Sequence, residues 1–271
     1  MPELPEVETI MTLVKHRISD QSIKKIKVLN RNLRWPIETE KIRKLEGYRV
    51  KSIYRRGKYI IITFISTNLQ LVLHLGMTGV ISFKNVAEYS KNKHDHFLIY
   101  FDNFLMIFND IRKFGSIHLT DDLSSLFLIN NLGIEPLSKR FSGEYMYTLS
   151  RNKSCTIKDF IMNQKIVVGI GNIYATESLF MAGIFPGRAS GSISKKKYHL
   201  LATNIKKVLR KAIKSGGTSI RNYKDTDGNP GYFAQKLLVY QKKYCSIHKS
   251  TLISNLKISG RSSFFCSKCQ K

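Results

Sequence analysis

Residues 59–75 read YIIITFISTNLQLVLHL. This is the longest apolar-rich patch of the chain, so how it folds decides the class of the whole. A membrane-spanning helix needs about 18 to 20 continuous apolar residues. Thr63, Ser66, Thr67, Asn68 and Gln70 break the run well short of that. It therefore reads as strands, with Thr67-Asn68 as a turn between them. The same texture extends to either side, in SIKKIKVL, YRVKSIYRRG, HFLIYF, FLMIFND and GSIHLT, punctuated by Gly79, Asp102-Asn103 and Gly115. Many short strands with brief connections predict a largely antiparallel sandwich or barrel. DDLSSLFLINNLG then reads as a short helix, with Asp121 or Asp122 as its cap and Gly133 as its stop.

Two regions flank this β-rich block. Ahead of it, Val7, Ile10, Met11, Val14 and Ile18 recur at helical spacing. Pro5 suits that helix's first turn, and glutamates suit its positive end. Pro2 and Glu3 are left without a structural reason. Beyond residue 136 the period becomes helical, in IKDFIMNQKIVV, NIYATESLFMAGI and SKKKYHLLATNIKKVLRKAIKSGG. Lysines and Arg210 cover the polar side of the last of these, which by itself is an ordinary solvated face. The expected class is α+β. An N-terminal antiparallel β-sandwich with flanking helices spans 1–135, a helical domain spans 136–239, and a small terminal module spans 240–271.

The chain has 271 residues, 42% of them hydrophobic, enough for a real core. Lys and Arg number 45 against 19 acidic residues, a formal charge of +26. Such an excess points to a polyanionic partner, nucleic acid before an anionic membrane surface, although part of the lysine also fits a composition rich in Ile and Asn. Acid at position 3 does not fit a secretion signal, so the expected compartment is the cytoplasm. Cys155 stands alone as a small core or half-buried residue. Cys245 and His248 form C-x2-H, and Cys266 and Cys269 form C-x2-C. Two close pairs separated by 17 residues, enough for a hairpin, suit one structural zinc ion with four protein ligands. The bland alternative is unligated cysteines and a surface histidine. Arg261 lies between the pairs, as a phosphate or groove contact or an ordinary surface arginine.

Taken in order, several stretches carry a likeness. They are MPELPEVET at 1–9, YRRGKYI at 54–60, LHLGMTG at 73–79, KHDH at 93–96, NDIRKFG at 109–115 and LGIEPLS at 132–138. VGIGNIYATESLFMAGIFP follows at 168–186, then GGTSIRNY at 216–223 and DGNPGYFAQKLLVY at 227–240, with the cysteine-rich end last. The set resembles the bacterial formamidopyrimidine-DNA glycosylases over nearly the whole chain. These enzymes remove 8-oxoguanine and ring-opened purines. The related endonuclease VIII-like enzymes usually carry glycine at the place of Leu4. The chain departs from the family at Ile111, where proline is common, and at His248, where the finger commonly has cysteine.

The resemblance implies a bifunctional glycosylase and abasic-site lyase, acting as a monomer on damaged double-stranded DNA in a basic cleft between two domains. Pro2, freed by loss of Met1, would be the nucleophile, with Glu3, Glu6 and Lys58 as its catalytic partners. An α-amino group titrates near 7.7 to 8, so a useful fraction is neutral and nucleophilic at physiological pH. Met77, Arg112 and Phe114 would fill the gap left by an everted base. His74, Lys93, His94, Lys158, Asn172 and Arg261 would contact DNA, Asn172 together with backbone N–H groups at a helix start. Arg221 would lie in the loop covering the lesion, within a helix–two-turn–helix domain that ends in a zinc finger. The competing expectation is a catalytically reduced damaged-DNA or abasic-site binding protein of the same fold.

Overall fold

The computed structural model describes residues 2–218 and 233–271. These form two compact units. One comprises Pro2 and Glu6–Asn130; the other comprises Glu3–Pro5 and the described residues from Asn131 onward.

The first unit holds most of helix α1 (Leu4–Ile18), whose Val7, Ile10, Met11, Val14 and Ile18 are all buried, as their spacing predicts. Strands β1 (Lys25–Val28), β2 (Val50–Arg56), β3 (Tyr59–Phe64), β4 (Gln70–His74), β5 (Gly79–Asn85), β6 (Asp95–Tyr100), β7 (Phe104–Asp110) and β8 (Ser116–Thr120) follow, with the five-residue α2 (Thr39–Arg43) between β1 and β2. They make two four-stranded antiparallel sheets, ordered β1-β6-β7-β5 and β2-β3-β4-β8. The apolar run at 59–75 is thus the β3–β4 hairpin. Ile60, Ile61 and Ile62 are all fully buried. Successive strand residues point to opposite faces, so β3 is covered on both, and its sequence need not alternate. Strand β5 was not singled out from the sequence.

Residues 121–133 differ from expectation: they form successive turns and no helix. The Asp122 carboxylate accepts from the Ser124 N–H and hydroxyl, and the Ser125 hydroxyl donates to the Asp122 carbonyl. Such local side-chain bonds compete with helical pairing.

The second unit contains α3 (Gly143–Ser150), α4 (Ile157–Met162), α5 (Asn172–Ala182) and α6 (Lys195–Lys214), then a hairpin of β9 (Ser254–Ile258) and β10 (Arg261–Phe265). Ser142, Thr156 and Ser194 cap α3, α4 and α6 through their hydroxyls. The apolar stripe of α6, Tyr198, Leu201, Ile205, Val208, Leu209 and Ala212, packs with Tyr174 and Leu179 of α5 in one core. The terminal hairpin borrows its apolar partner: Cys245 and Cys266 pack with Val239 and with Phe180 of α5. Among the described residues no helix is long and apolar enough to cross a membrane.

Candidate functional site

Strand register brings two loops of the first unit together. Strand β4 pairs with β8 as far as His74↔Ser116, and β5 pairs with β7 as far as Gly79↔Asp110. The links 75–78 and 111–115 therefore leave the two sheets side by side. They expose Met77 and Phe114, 39% and 41% accessible, together with Arg112, whose guanidinium lies 4.6 Å from the Phe114 ring centre. Large apolar side chains this exposed on loop tips are not core residues. Lys58 sits in the two-residue loop joining β2 to β3, one residue before Tyr59, which pairs with His74. The His74 ring lies 4.7 Å from that of Tyr59, and its Nδ1 accepts the Gly76 N–H at 3.1 Å. Burial first, then the Lys58 and Arg34 charges, lowers its pKa to about 4. At neutral pH the ring is uncharged, with its proton on Nε2, a single donor of fixed direction. Lys93 is exposed and His94 half-buried, and the His94 carbonyl accepts the Asp110 N–H.

Pro2 and Glu6 are buried. Glu3, in the second unit, is 2% accessible, and its carboxylate accepts the N–H groups of Gly171 (2.9 Å), Ile173 (2.9 Å) and Tyr174 (3.3 Å). These are orphan donors at the start of α5, where the helix dipole also favours a negative charge. A Cβ on Gly171 would collide with that carboxylate. The expectation that these N–H groups await a phosphate is therefore met differently, because Glu3 already occupies them.

Lys158 is also placed unexpectedly. It is 1% accessible, and its ammonium donates to Asn172 Oδ1 (2.5 Å), Ser263 Oγ (2.6 Å) and the Ser262 carbonyl (3.1 Å). Three donors meet three acceptors. Burial above all, together with the like charge of Arg261 and against the opposite charge of Asp159, lowers its pKa to about 8. Asn172 Nδ2 donates to the same Ser262 carbonyl. The residue after exposed Arg261 is thus tied to both α4 and α5. Glu177, which the sequence did not flag, is buried on α5 and accepts the N–H groups of Leu238, Val239 and Tyr240 at 2.8–3.0 Å. Arg221 lies outside the described residues.

The ligand atoms of Cys245, His248, Cys266 and Cys269 lie within 4.8 Å of one another. Cys245 and Cys269 sulfurs are 3.6 Å apart, and His248 Nδ1 is 3.1 Å from Cys269 Sγ. Burial and the adjacent Cys245 and Cys266 push the Cys269 thiol up to about 12. A divalent cation at the centre of these donors favours the thiolate forms that would ligate it. The donor set fits a metal ion.

The chain matches the family described as formamidopyrimidine-DNA glycosylase N-terminal domain over residues 1–117, and the formamidopyrimidine-DNA glycosylase H2TH domain over 132–224. It is 44% identical to the formamidopyrimidine-DNA glycosylase of Ruthia magnifica subsp. Calyptogena magnifica, with both chains covered in full. Among solved structures it is similar to Lactococcus lactis Fpg in complex with DNA containing an abasic site, with TM-score 0.91, 34% identity and 99% of each chain covered. It is likewise similar to the same organism's protein in complex with DNA containing FAPY-dG, with TM-score 0.89 and 33% identity over 99% of this chain and 100% of that one.

Proposed function

Since the chain belongs to the formamidopyrimidine-DNA glycosylase family, we infer that it excises oxidised purines from duplex DNA and cleaves the strand at the abasic site it makes. The observation that carries this is a match running through the whole chain, both domains included. Its partner is damaged double-stranded DNA.

With Met1 removed, the Pro2 secondary amine attacks C1′ of the damaged nucleotide. The C1′–N bond breaks, the base leaves with a proton, and the sugar opens to an iminium on Pro2. β-Elimination then breaks the C3′–O bond and δ-elimination the C5′–O bond, each releasing a phosphate-ended strand, and water hydrolyses the remaining iminium to release the unsaturated aldehyde and return the free amine. Glu3 transfers protons around the sugar while its charge stabilises the cationic intermediate, and its bonds to the start of α5 hold it in one orientation. Glu6 orders the terminus. Lys58 grips phosphate beside the lesion and assists base departure, and His74 donates from Nε2. Lys93 and His94 line the backbone. Met77 and Phe114 replace the lost stacking, and Arg112 hydrogen-bonds the orphaned base. Their exposure on adjoining loop tips supports this reading.

The four terminal ligands would hold one Zn²⁺, which supplies a cross-link and no open coordination position. Arg261 contacts phosphate from the hairpin, and Lys158 positions it from beneath with Asn172. Cytoplasmic residence fits this work.

The test is borohydride reduction during reaction with an abasic duplex, followed by peptide mapping. The expected product is a covalent adduct on Pro2. An adduct solely on an internal lysine removes Pro2 from the mechanism. No adduct at all favours the damaged-DNA binding protein.

A further inference from the structure

We propose that Asp110 is a positioning residue that sets both gap-filling loops and, through them, recognition of the base opposite the lesion. The proposal rests on the reading of Met77, Arg112 and Phe114 given above. Asp110 ends β7 and is completely buried. Its Oδ1 accepts the Thr78 hydroxyl (2.5 Å) and the Arg112 N–H (3.2 Å); its Oδ2 accepts the Gly115 N–H (2.7 Å). One carboxylate thus grips the loop carrying Met77 and both ends of the loop carrying Arg112 and Phe114. Thr78 closes the triangle, since its Oγ also accepts the Arg112 N–H at 3.1 Å.

The grip falls where the backbone needs it. Lys113 has φ 56°, a left-handed conformation that disfavours a side chain. The two clasped N–H groups, of Arg112 and Gly115, bracket that residue and its neighbour Phe114. Without the clasp, Lys113 relaxes and the Arg112 and Phe114 side chains swing apart. Residue 111 is isoleucine and 53% accessible, so no proline ring stiffens the turn, and neither does burial. The two loops also touch through backbone: Gly76 has φ +60°, and a Cβ there would strike the Phe114 carbonyl and the Gly115 nitrogen. Asp110 is itself held from behind. Its N–H donates to the His94 carbonyl, its own carbonyl meets His96 Nε2 at 2.7 Å, and the adjacent Asn109 amide donates to Asp95. A buried carboxylate whose three hydrogen bonds all go to these two loops has its effect at their tips.

The experiment compares wild type, Asp110→Asn and Thr78→Val in single-turnover excision of 8-oxoguanine opposite cytosine and opposite adenine, and in cleavage of a preformed abasic duplex. Asparagine keeps the volume but offers one accepting oxygen in place of two. The expected result for Asp110→Asn is an excision rate opposite cytosine lower by about tenfold or more, from the loss of one hydrogen bond to a charged acceptor. The cytosine-over-adenine preference collapses toward unity, and abasic cleavage changes least. Thr78→Val, which spares the carboxylate, shows the same pattern more weakly. Equal loss on all three substrates with the preference intact, or no loss in either variant, overturns the proposal. Should Asp110→Asn fail to fold, Thr78→Val decides alone. Wild type that acts on neither lesion refutes the proposed activity instead, a distinguishable failure.

Discussion

Replacing Glu3 by glutamine tests whether one carboxylate both performs chemistry and locks the start of α5. The side chains are nearly isosteric, so the change lies in acceptors. Glutamate presents Oε2 to Gly171 and Tyr174 and Oε1 to Ile173. Glutamine keeps one oxygen. If that oxygen stays with Gly171 and Tyr174, its NH₂ faces the Ile173 N–H, donor against donor. One hydrogen bond to a charged acceptor is lost, about 1.5–3 kcal/mol. Removing a negative charge from a buried helix N-terminus adds roughly 1 kcal/mol. Relief of the buried charge's desolvation offsets part of this. A net loss of about 2–3 kcal/mol corresponds to a fall in melting temperature of roughly 5–10 °C for a protein of this size. Scanning calorimetry reads the fall, and amide exchange at Gly171, Ile173 and Tyr174 localises it. The glutamine variant should also lose excision. If excision is lost while the melting temperature holds within about 1 °C and those amides keep their protection, the carboxylate is chemical only and its structural role is refuted.

Two further outcomes follow from the metal cluster and the buried imidazole. His248→Ala should lower zinc content, by elemental analysis, and DNA affinity together, whereas His248→Cys should keep both because zinc accepts either donor; wild type free of zinc but fully active would end the four-ligand assignment. His74 takes up its proton near pH 4 in the fold and near 6.5 when unfolded. Between those values the unfolded chain binds the extra proton, so stability is lost as pH falls from 6.5 to 4. The loss is roughly 3 kcal/mol at most. Denaturant titrations of wild type and His74→Gln should differ in slope across that window, and identical slopes would contradict the neutral, buried imidazole.

Much of this protein is legible without coordinates because its signals are local. The polar interruptions of 59–75 fall where β3 ends and β4 begins, and the α6 stripe follows from helical period alone. The C-x2-H and C-x2-C pairs are turn-sized chelates, which spacing reveals. Sequence failed where neighbouring polar side chains could choose between partners, as in the turns after Asp122. It was silent on partners far along the chain. Glu3 meets α5 about 170 residues away, and Lys158 meets Ser263 at a separation of 105. Composition marks Lys158 as one more surface cation of a basic protein; the fold buries it beneath a hairpin and fills its three donors. Asp110 reads in sequence only as the last residue of the strand run FLMIFND, and the register of four strands makes it the clasp between two loops. Periodicity reports which face of an element is buried, whereas the identity of what buries it depends on topology, and there the tertiary structure alone decides.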